Sequence, residues 1–302
     1  MNRLKSGMKP LLWSAAAVVL LVSVIVPALN MLTVGLIMVP FVVMYSTLSR
    51  QAFALHVIAV FVVAFLIFGA SMLILGLFFL PPSIVMGYMY RKKAQARTVI
   101  TVVTLTFLAE FLLQMLFFSA MGISLTGEMS NLVRTVFTDL GTQGMLPESW
   151  NGELTETLIR TMVQTIPLVL IVLSFLLAVI GHWVARNTLN RWHGLEIPGL
   201  KPAKDWMMPK ILVLYYLIAL VFDLVISKES DTFFNTVLIN LIPLLRWVFT
   251  IQAIGFFFYL ADQKRWNRVV PVLLSVPVFL FPPLSLIGVL DVAFPIRKSF
   301  KR

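Results

Sequence analysis

The sequence predicts an all-α integral membrane protein: a bundle of about eight or nine transmembrane helices forming a single polytopic domain over residues 1–302. Three observations predict it. Hydrophobic residues make up 60% of the chain and charged residues 12%, against ~45–50% and ~25% in soluble domains. Several apolar runs exceed the ~20 residues that a helix needs to cross the hydrocarbon layer. The basic residues collect between these runs, on alternate connections, which is the pattern that orients membrane proteins.

The apolar segments are, in order, roughly 11–29, 31–48, 52–70, 71–90, 97–121, 158–187, 208–227, 233–261 and 268–293. Arg3, Lys5 and Lys9 precede the first. The run to Leu48 is too long for a cleaved leader, so these segments read as retained helices. The break between the third and fourth rests on length and on Gly69. Arg50 follows the second, and Arg91, Lys92, Lys93 and Arg97 follow the fourth. Arg186, Arg191, Lys201, Lys204 and Lys210 surround the connection after the sixth, and Lys264, Arg265 and Arg268 follow the eighth. If each pair of segments crosses and returns, these cations and the N-terminus share one side, which is cytoplasmic.

The loop 124–157 lies opposite. It holds Glu128, Asp139, Glu148, Glu153 and Glu156 against Arg134. Met129, Leu132, Val133, Val136, Phe137 and Leu140 recur at helical spacing, predicting a short amphipathic helix that either lies at the outer interface or caps the bundle. The last segment is interrupted by Pro271, Pro277, Pro282 and Pro283 and followed by Pro295. A single crossing would put Arg297, Lys298, Lys301 and Arg302 outside, against the charge rule. Two arrangements remain: a kinked span with the tail outside, or a re-entrant hairpin with the tail inside. Phe79-Leu80-Pro81-Pro82-Ser83 with Gly87 is echoed by Phe281-Pro282-Pro283 with Ser285 and Gly288. In a chain rich in Leu, Phe and Pro, chance is the stronger explanation.

Charges inside apolar segments cost ~2.5–3.5 kcal/mol on insertion scales. Glu110 and Arg246 are such charges, and the topology puts them at similar depth, where pairing would offset part of that cost. Gln114 lies one turn beyond Glu110 on the same face. Asn235, Asn240 and Gln252 share a segment with Arg246, and amides join helices in lipid. Glu110, Gln114, Asn240, Arg246 and Gln252 are therefore the candidate site, lining a solute-binding cavity or forming a structural polar core. Asp223 lies near the outer end of its segment. His182, Arg186 and Asn190 form an i, i+4, i+8 stripe expected to face the cytoplasmic interface and lipid.

Several functions are not indicated. The chain has no cysteine, which removes disulfides, thiolate catalysis and cysteine-ligated metals. The three histidines have no metal-ligand spacing, and no cofactor is indicated. There is no Walker loop, nucleophile elbow or zincin helix, so an enzyme is not expected. The net charge of +11 reads as membrane anchors touching anionic lipid, not as a nucleic-acid surface.

Local patterns along the chain carry a resemblance. Val26-Pro27, Val39-Pro40-Phe41, Leu80-Pro81-Pro82, and Gly87-Tyr88 with Arg91-Lys92-Lys93 occur in that order. They are followed by Asn190-Arg191-Trp192, Gly194-Leu195-Glu196-Ile197-Pro198, Asp205-Trp206-Met207-Met208-Pro209-Lys210 and Gly288-Val289-Leu290-Asp291-Val292-Ala293-Phe294 before Arg297-Lys298. The chain resembles the YybS-like family of polytopic membrane proteins of Gram-positive bacteria. The resemblance implies a multi-pass protein of the bacterial plasma membrane. It also implies an N-terminal part similar to the substrate-binding S-components of energy-coupling-factor transporters, which use separate ATPase subunits. The neighbourhood of a membrane cyclic-dinucleotide phosphodiesterase, common in that family, implies an envelope or signalling role. Phe294-Pro295-Ile296 departs from the family's usual ending, although Asp291 remains. The expected function is binding or transport of a small solute without an ATPase of its own. The alternative is a non-catalytic scaffold or regulatory partner of a membrane or cytoplasmic protein.

Overall fold

A computed structural model describes residues 2–226, 232–294 and 296–300. The side chains of Arg3 and Lys5, together with Pro295, Lys301 and Arg302, lie outside the described residues. The helices are α1 (Asn2–Ser23), α2 (Pro27–Thr33), α3 (Met38–Thr47), α4 (Arg50–Phe68), α5 (Ala70–Arg91), α6 (Ala96–Ala120) and α7 (Leu125–Thr142). Then come α8 (Gly152–Gln164), α9 (Ile166–His193), α10 (Ile211–Val225), α11 (Phe233–Lys264), α12 (Val269–Leu280), α13 (Leu286–Ala293) and α14 (Ile296–Ser299). No strand occurs among the described residues.

Five helices, α4, α5, α6, α9 and α11, are long and apolar enough to cross a membrane. The other apolar segments form shorter helices, such as the stretch Met8–Ser23, α10 and α12. Five of the expected eight or nine transmembrane helices are thus present at full spanning length among the described residues. Turn-forming positions divide the rest. The first segment is broken at Val26-Pro27, and the second by a 3-10 turn at Val34–Leu36 before α3. The sixth is cut at Thr165: Pro167, which has no N–H to give, begins a new helix where only orphan donors occur anyway. The span is therefore α9, Ile166–His193, and the preceding α8 is a separate amphipathic helix capped by Asn151, whose side chain accepts from Leu154 N at 2.9 Å.

The chain divides into two compact units. Unit 1 comprises Met1–Leu125 and Leu170–Leu200; unit 2 comprises Thr126–Val169 and Lys201–Arg302. Unit 1 is built around α3, of which Met38 to Met44 are all buried. A helix apolar all round has no solvent face and belongs at the centre. Phe79, Phe107 and Met86 share the buried core with it. The α9 backbone reaches α3 closely because residue 181 is glycine: a Cβ there would lie 2.2 Å from Met38 Sδ. Gly69, at φ +74°, separates α4 from α5 as expected. Arg91 closes the far end of α3, donating to Leu48 O at 2.5 Å and to Tyr45 O while stacking on the Tyr45 ring.

Pro81 and Pro82 sit inside an unbroken α5. The buried Ser83 hydroxyl donates to Phe79 O at 2.6 Å, using one of the carbonyls near the proline pair. Pro282 and Pro283 instead occupy a 3-10 turn, Pro282–Ser285, that ends α12 and starts α13. The two proline pairs therefore play different structural roles.

Unit 2 is organised by α11. The ring of Phe279, near the end of α12, meets Trp247 at 6.0 Å. After the turn, Gly288 touches the Phe249 backbone, the Asp291 carboxylate meets Gln252, and the Arg297 carbonyl accepts from Tyr259 at 2.8 Å. The chain thus descends α11 to mid-helix and climbs back along it. The loop after α6 forms α7, as its periodicity predicts, and leads into α8. Arg134 donates to both Glu156 carboxylate oxygens, at 2.6 and 2.8 Å, and Phe137 stacks on Trp150. These hydrogen bonds hold the exposed Glu156 carboxyl below its usual range.

Replacing Gly288 tests this packing, because its Cβ would lie 1.9 Å from Phe249 O, a backbone atom that cannot swing aside. Gly288→Ala should cost at least ~1–3 kcal/mol. Gly181→Ala, which meets only the flexible tip of Met38, should cost less. Thermal unfolding in detergent measures both.

Candidate functional site

The five sequence candidates are divided between the two units. Glu110 and Gln114 lie on α6 in unit 1; Asn240, Arg246 and Gln252 lie on α11 in unit 2. The pairing expected for Glu110 and Arg246 would thus join residues of different units, and each is described in its own. Glu110 and Gln114 are half-buried, and no described residue of unit 1 hydrogen-bonds or ion-pairs with either side chain. Arg246 is half-buried near the middle of α11, and no described residue of unit 2 pairs with it.

The two candidate amides of α11, Asn240 and Gln252, are consumed by the chain itself. Asn240 Oδ1 accepts from Leu168 N at 2.8 Å, and its Nδ2 donates to Gln164 O at 2.8 Å and Thr236 O at 2.7 Å. One side chain thereby satisfies the last carbonyl of α8 and an early amide of α9, groups that helix ends leave unpaired. Gln252 is fully buried. Its Oε1 accepts from Met208 N at 3.0 Å, while Nε2 donates to Asp291 Oδ2 at 2.5 Å and Trp206 O at 3.3 Å.

Asp291 and Arg297 complete this cluster, and the sequence reading had placed Arg297 in a basic tail. The Asp291 side chain is 0% exposed and that of Arg297 14%. Arg297 Nη2 lies 2.7 Å from Asp291 Oδ2, and Nε lies 2.9 Å from Oδ1. The outer nitrogens also donate to Lys204 O at 2.8 Å and Trp206 O at 2.9 Å. The guanidinium rests over the Tyr259 ring at 4.9 Å. Such a planar fork meets a carboxylate and neighbouring carbonyls together, which an ammonium cannot do. The signal in the sequence was Asp291, an acid within an apolar segment. Its partner six residues on, beyond Pro295, has no helical spacing to suggest it. Lys204 adds a surface pair with Asp262 at 2.9 Å, which raises the lysine's affinity for its proton.

The expected interfacial stripe of His182, Arg186 and Asn190 is corrected. His182 is 3% exposed, and its Nδ1 lies 2.9 Å from the Tyr90 hydroxyl. Its Nε2, like Ser174 Oγ two turns earlier, is buried without a partner among the described residues. Arg186 Nε donates to Ile197 O at 2.9 Å, and Asn190 exchanges hydrogen bonds with both Ile197 N and O. The chain after α9 folds back over these side chains, so they grip backbone instead of reaching for lipid. With residues 194–198 they line an open pocket of about 540 Å³. Among the described residues no group of three His, Asp or Glu side chains is placed to hold a metal.

The Asp291–Arg297 pair is sensitive to losing one member. Arg297→Leu leaves a buried carboxylate without its counter-charge, at a cost of ~3–5 kcal/mol, whereas removing both charges together is often close to neutral. The double variant Asp291→Leu/Arg297→Leu should therefore melt nearer the wild type than Arg297→Leu does, as differential scanning fluorimetry would show.

Comparison with known proteins agrees with this membrane architecture. No solved structure matches the chain. The curated protein "Uncharacterized protein YybS" of Bacillus subtilis (strain 168) is 21% identical over 229 residues, covering 72% of this chain and 73% of that protein. Residues 14–292, nearly the whole chain, match the family described as "Predicted membrane protein (DUF2232)", and the chain belongs to that family.

Proposed function

We propose that the chain is a membrane-embedded binding component that holds or passes a small solute and has no ATPase of its own. The supporting observation is the contrast on α11. Asn240 and Gln252 are satisfied by the protein, while Arg246, the costliest group to place in an apolar helix, has no partner among the described residues of its unit. Glu110 is in the same position on α6. Charges left available inside apolar helices suit an ionised or zwitterionic solute. The resemblance of the N-terminal part to S-components points the same way. Asn240 and Gln252 themselves are removed from the solute-binding set, because their amide groups are already used.

Their full use by the chain also supports the second reading, a non-catalytic scaffold or regulatory partner with a purely structural polar interior. Thermal unfolding of the protein in lipid nanodiscs, against vitamins, nucleotides and amino acids, separates the two. Under the first reading one solute class, at a hundred times its Kd, stabilises the protein by ~2.7 kcal/mol, and Arg246→Leu or Glu110→Leu abolishes the shift. If no solute moves the melting temperature, and cells carrying both Leu substitutions keep the protein's function, the scaffold reading stands.

For topology, we propose a cytoplasmic N-terminus and a re-entrant hairpin formed by α12 and α13. Support comes from length: 12 and 8 residues give helices of about 18 and 12 Å, short of the ~30 Å hydrocarbon layer. The hairpin returns the C-terminal cations to the side of Lys204, in keeping with the charge rule. The chain has no cysteine, so Phe300→Cys reports one position alone. A membrane-impermeant maleimide should label it in inverted vesicles and not in intact cells; the opposite pattern would overturn the hairpin.

A further inference from the structure

We propose that the C-terminal segment is a strap, and that Arg297 is the latch fastening residues 204–208 onto α11. The chain enters the second part of unit 2 at Lys201. Residues 206–209 have no regular secondary structure between the 3-10 turn Ala203–Asp205 and the turn at Lys210 that leads into α10. Their backbone polar groups need partners from elsewhere. Three backbone groups of residues 204–208 are met by two side chains: Arg297 takes the carbonyls of Lys204 and Trp206, and Gln252 takes the Met208 amide and shares the Trp206 carbonyl. A fourth contact is steric. Residue 255 is glycine, so the segment lies close on α11, and a Cβ there would meet Ala203 O at 3.0 Å.

Gln252 belongs to α11, whereas Arg297 belongs to α14, a single helical turn beyond Pro295. Arg297 is held by the buried Asp291 carboxylate, which Gln252 also contacts. One carboxylate thereby positions both the fixed and the removable member of the clamp. The removable member is the half-buried one, with 14% of its side chain exposed against 0% for Asp291. Lys204 and Asp262 join the strapped segment to α11 at the exposed edge, a contact of the kind that contributes little alone. Withdrawing Arg297 leaves the carbonyl of residue 204 without its donor and takes one of two donors from that of residue 206, so the segment is held only by Gln252, at Trp206 O and Met208 N, and by the surface pair of Lys204 with Asp262. Release of the strap is thus a local opening that leaves the α10–α11 core, with Tyr216 against Phe249, in place.

Trypsin reads the latch directly, because cleavage after Lys204 must attack the carbonyl that Arg297 Nη1 holds at 2.8 Å. The sequence Lys201-Pro202 resists trypsin, so Lys204 is the cleavable site within the strapped stretch. The exposed Arg265, in the turn after α11, is the internal reference. The experiment uses the full chain in detergent or nanodiscs and quantifies fragments by mass. Cleavage after Lys204, relative to Arg265, should be slow in the wild type and at least about tenfold faster in Arg297→Leu. It should be intermediate in Arg297→Lys, which keeps the charge and loses the fork. Asp291→Leu/Arg297→Leu leaves no orphaned charge and should show the same exposure of Lys204 while melting near the wild type. Continued protection of Lys204 in either Leu variant would overturn the latch. So would equal acceleration at Lys204 and Arg265, which reports general unfolding.

Discussion

A carboxylate carried into an apolar helix must be met there, and the lower half of unit 2 is arranged to meet Asp291. The Gln252 amide and the Arg297 guanidinium reach it from two directions, and each continues to backbone groups of residues 204–208. From this one charge follow the return of the chain along α11, the seating of the segment after residue 201, and the close approach at Gly288 and Gly255. Without the acid, the arginine would have no reason to leave solvent. Without the arginine, the Lys204 carbonyl would lose its donor, and the Trp206 carbonyl and the carboxylate would keep only Gln252.

Much of the architecture was legible in the sequence because burial in lipid leaves a coarse signature. The class, the α4–α5 break at Gly69, α6, α11 and the amphipathic α7 follow from apolar length, glycine and helical periodicity. The division of the sixth segment did not follow, since the apolar residues of α8 and α9 run together in composition. Only Pro167, read as a helix start, marks the seam at Thr165. The last segment was narrowed to two arrangements by its charges. Its path along α11 depends on contacts such as Phe279 with Trp247, which lie 32 residues apart in sequence and carry no local signal.

The candidate site was legible residue by residue but not as a set. Sequence reasoning found polar groups inside apolar helices, because they stand out there. Which of them are already satisfied is a property of tertiary structure. Asn240 and Gln252 are spent on loop and helix-end backbone, while Arg246 and Glu110 have no such partner within their units. The stripe of His182, Arg186 and Asn190 failed for the same reason: helical spacing gave its face, but His182 meets the Tyr90 hydroxyl, and Arg186 and Asn190 meet the chain's own return at Ile197.

Asn240 shows how narrow such satisfaction can be. It offers one acceptor to the amide of Leu168 and donors to the carbonyls of Gln164 and Thr236. An aspartate there could answer only the amide, and a lysine only the carbonyls. Leucine would answer neither, and glutamine would place the same groups one methylene too far out. The junction of two helices is thus written in a single side chain that must speak as donor and acceptor at once, and the chemical alphabet open to that position shrinks to one letter.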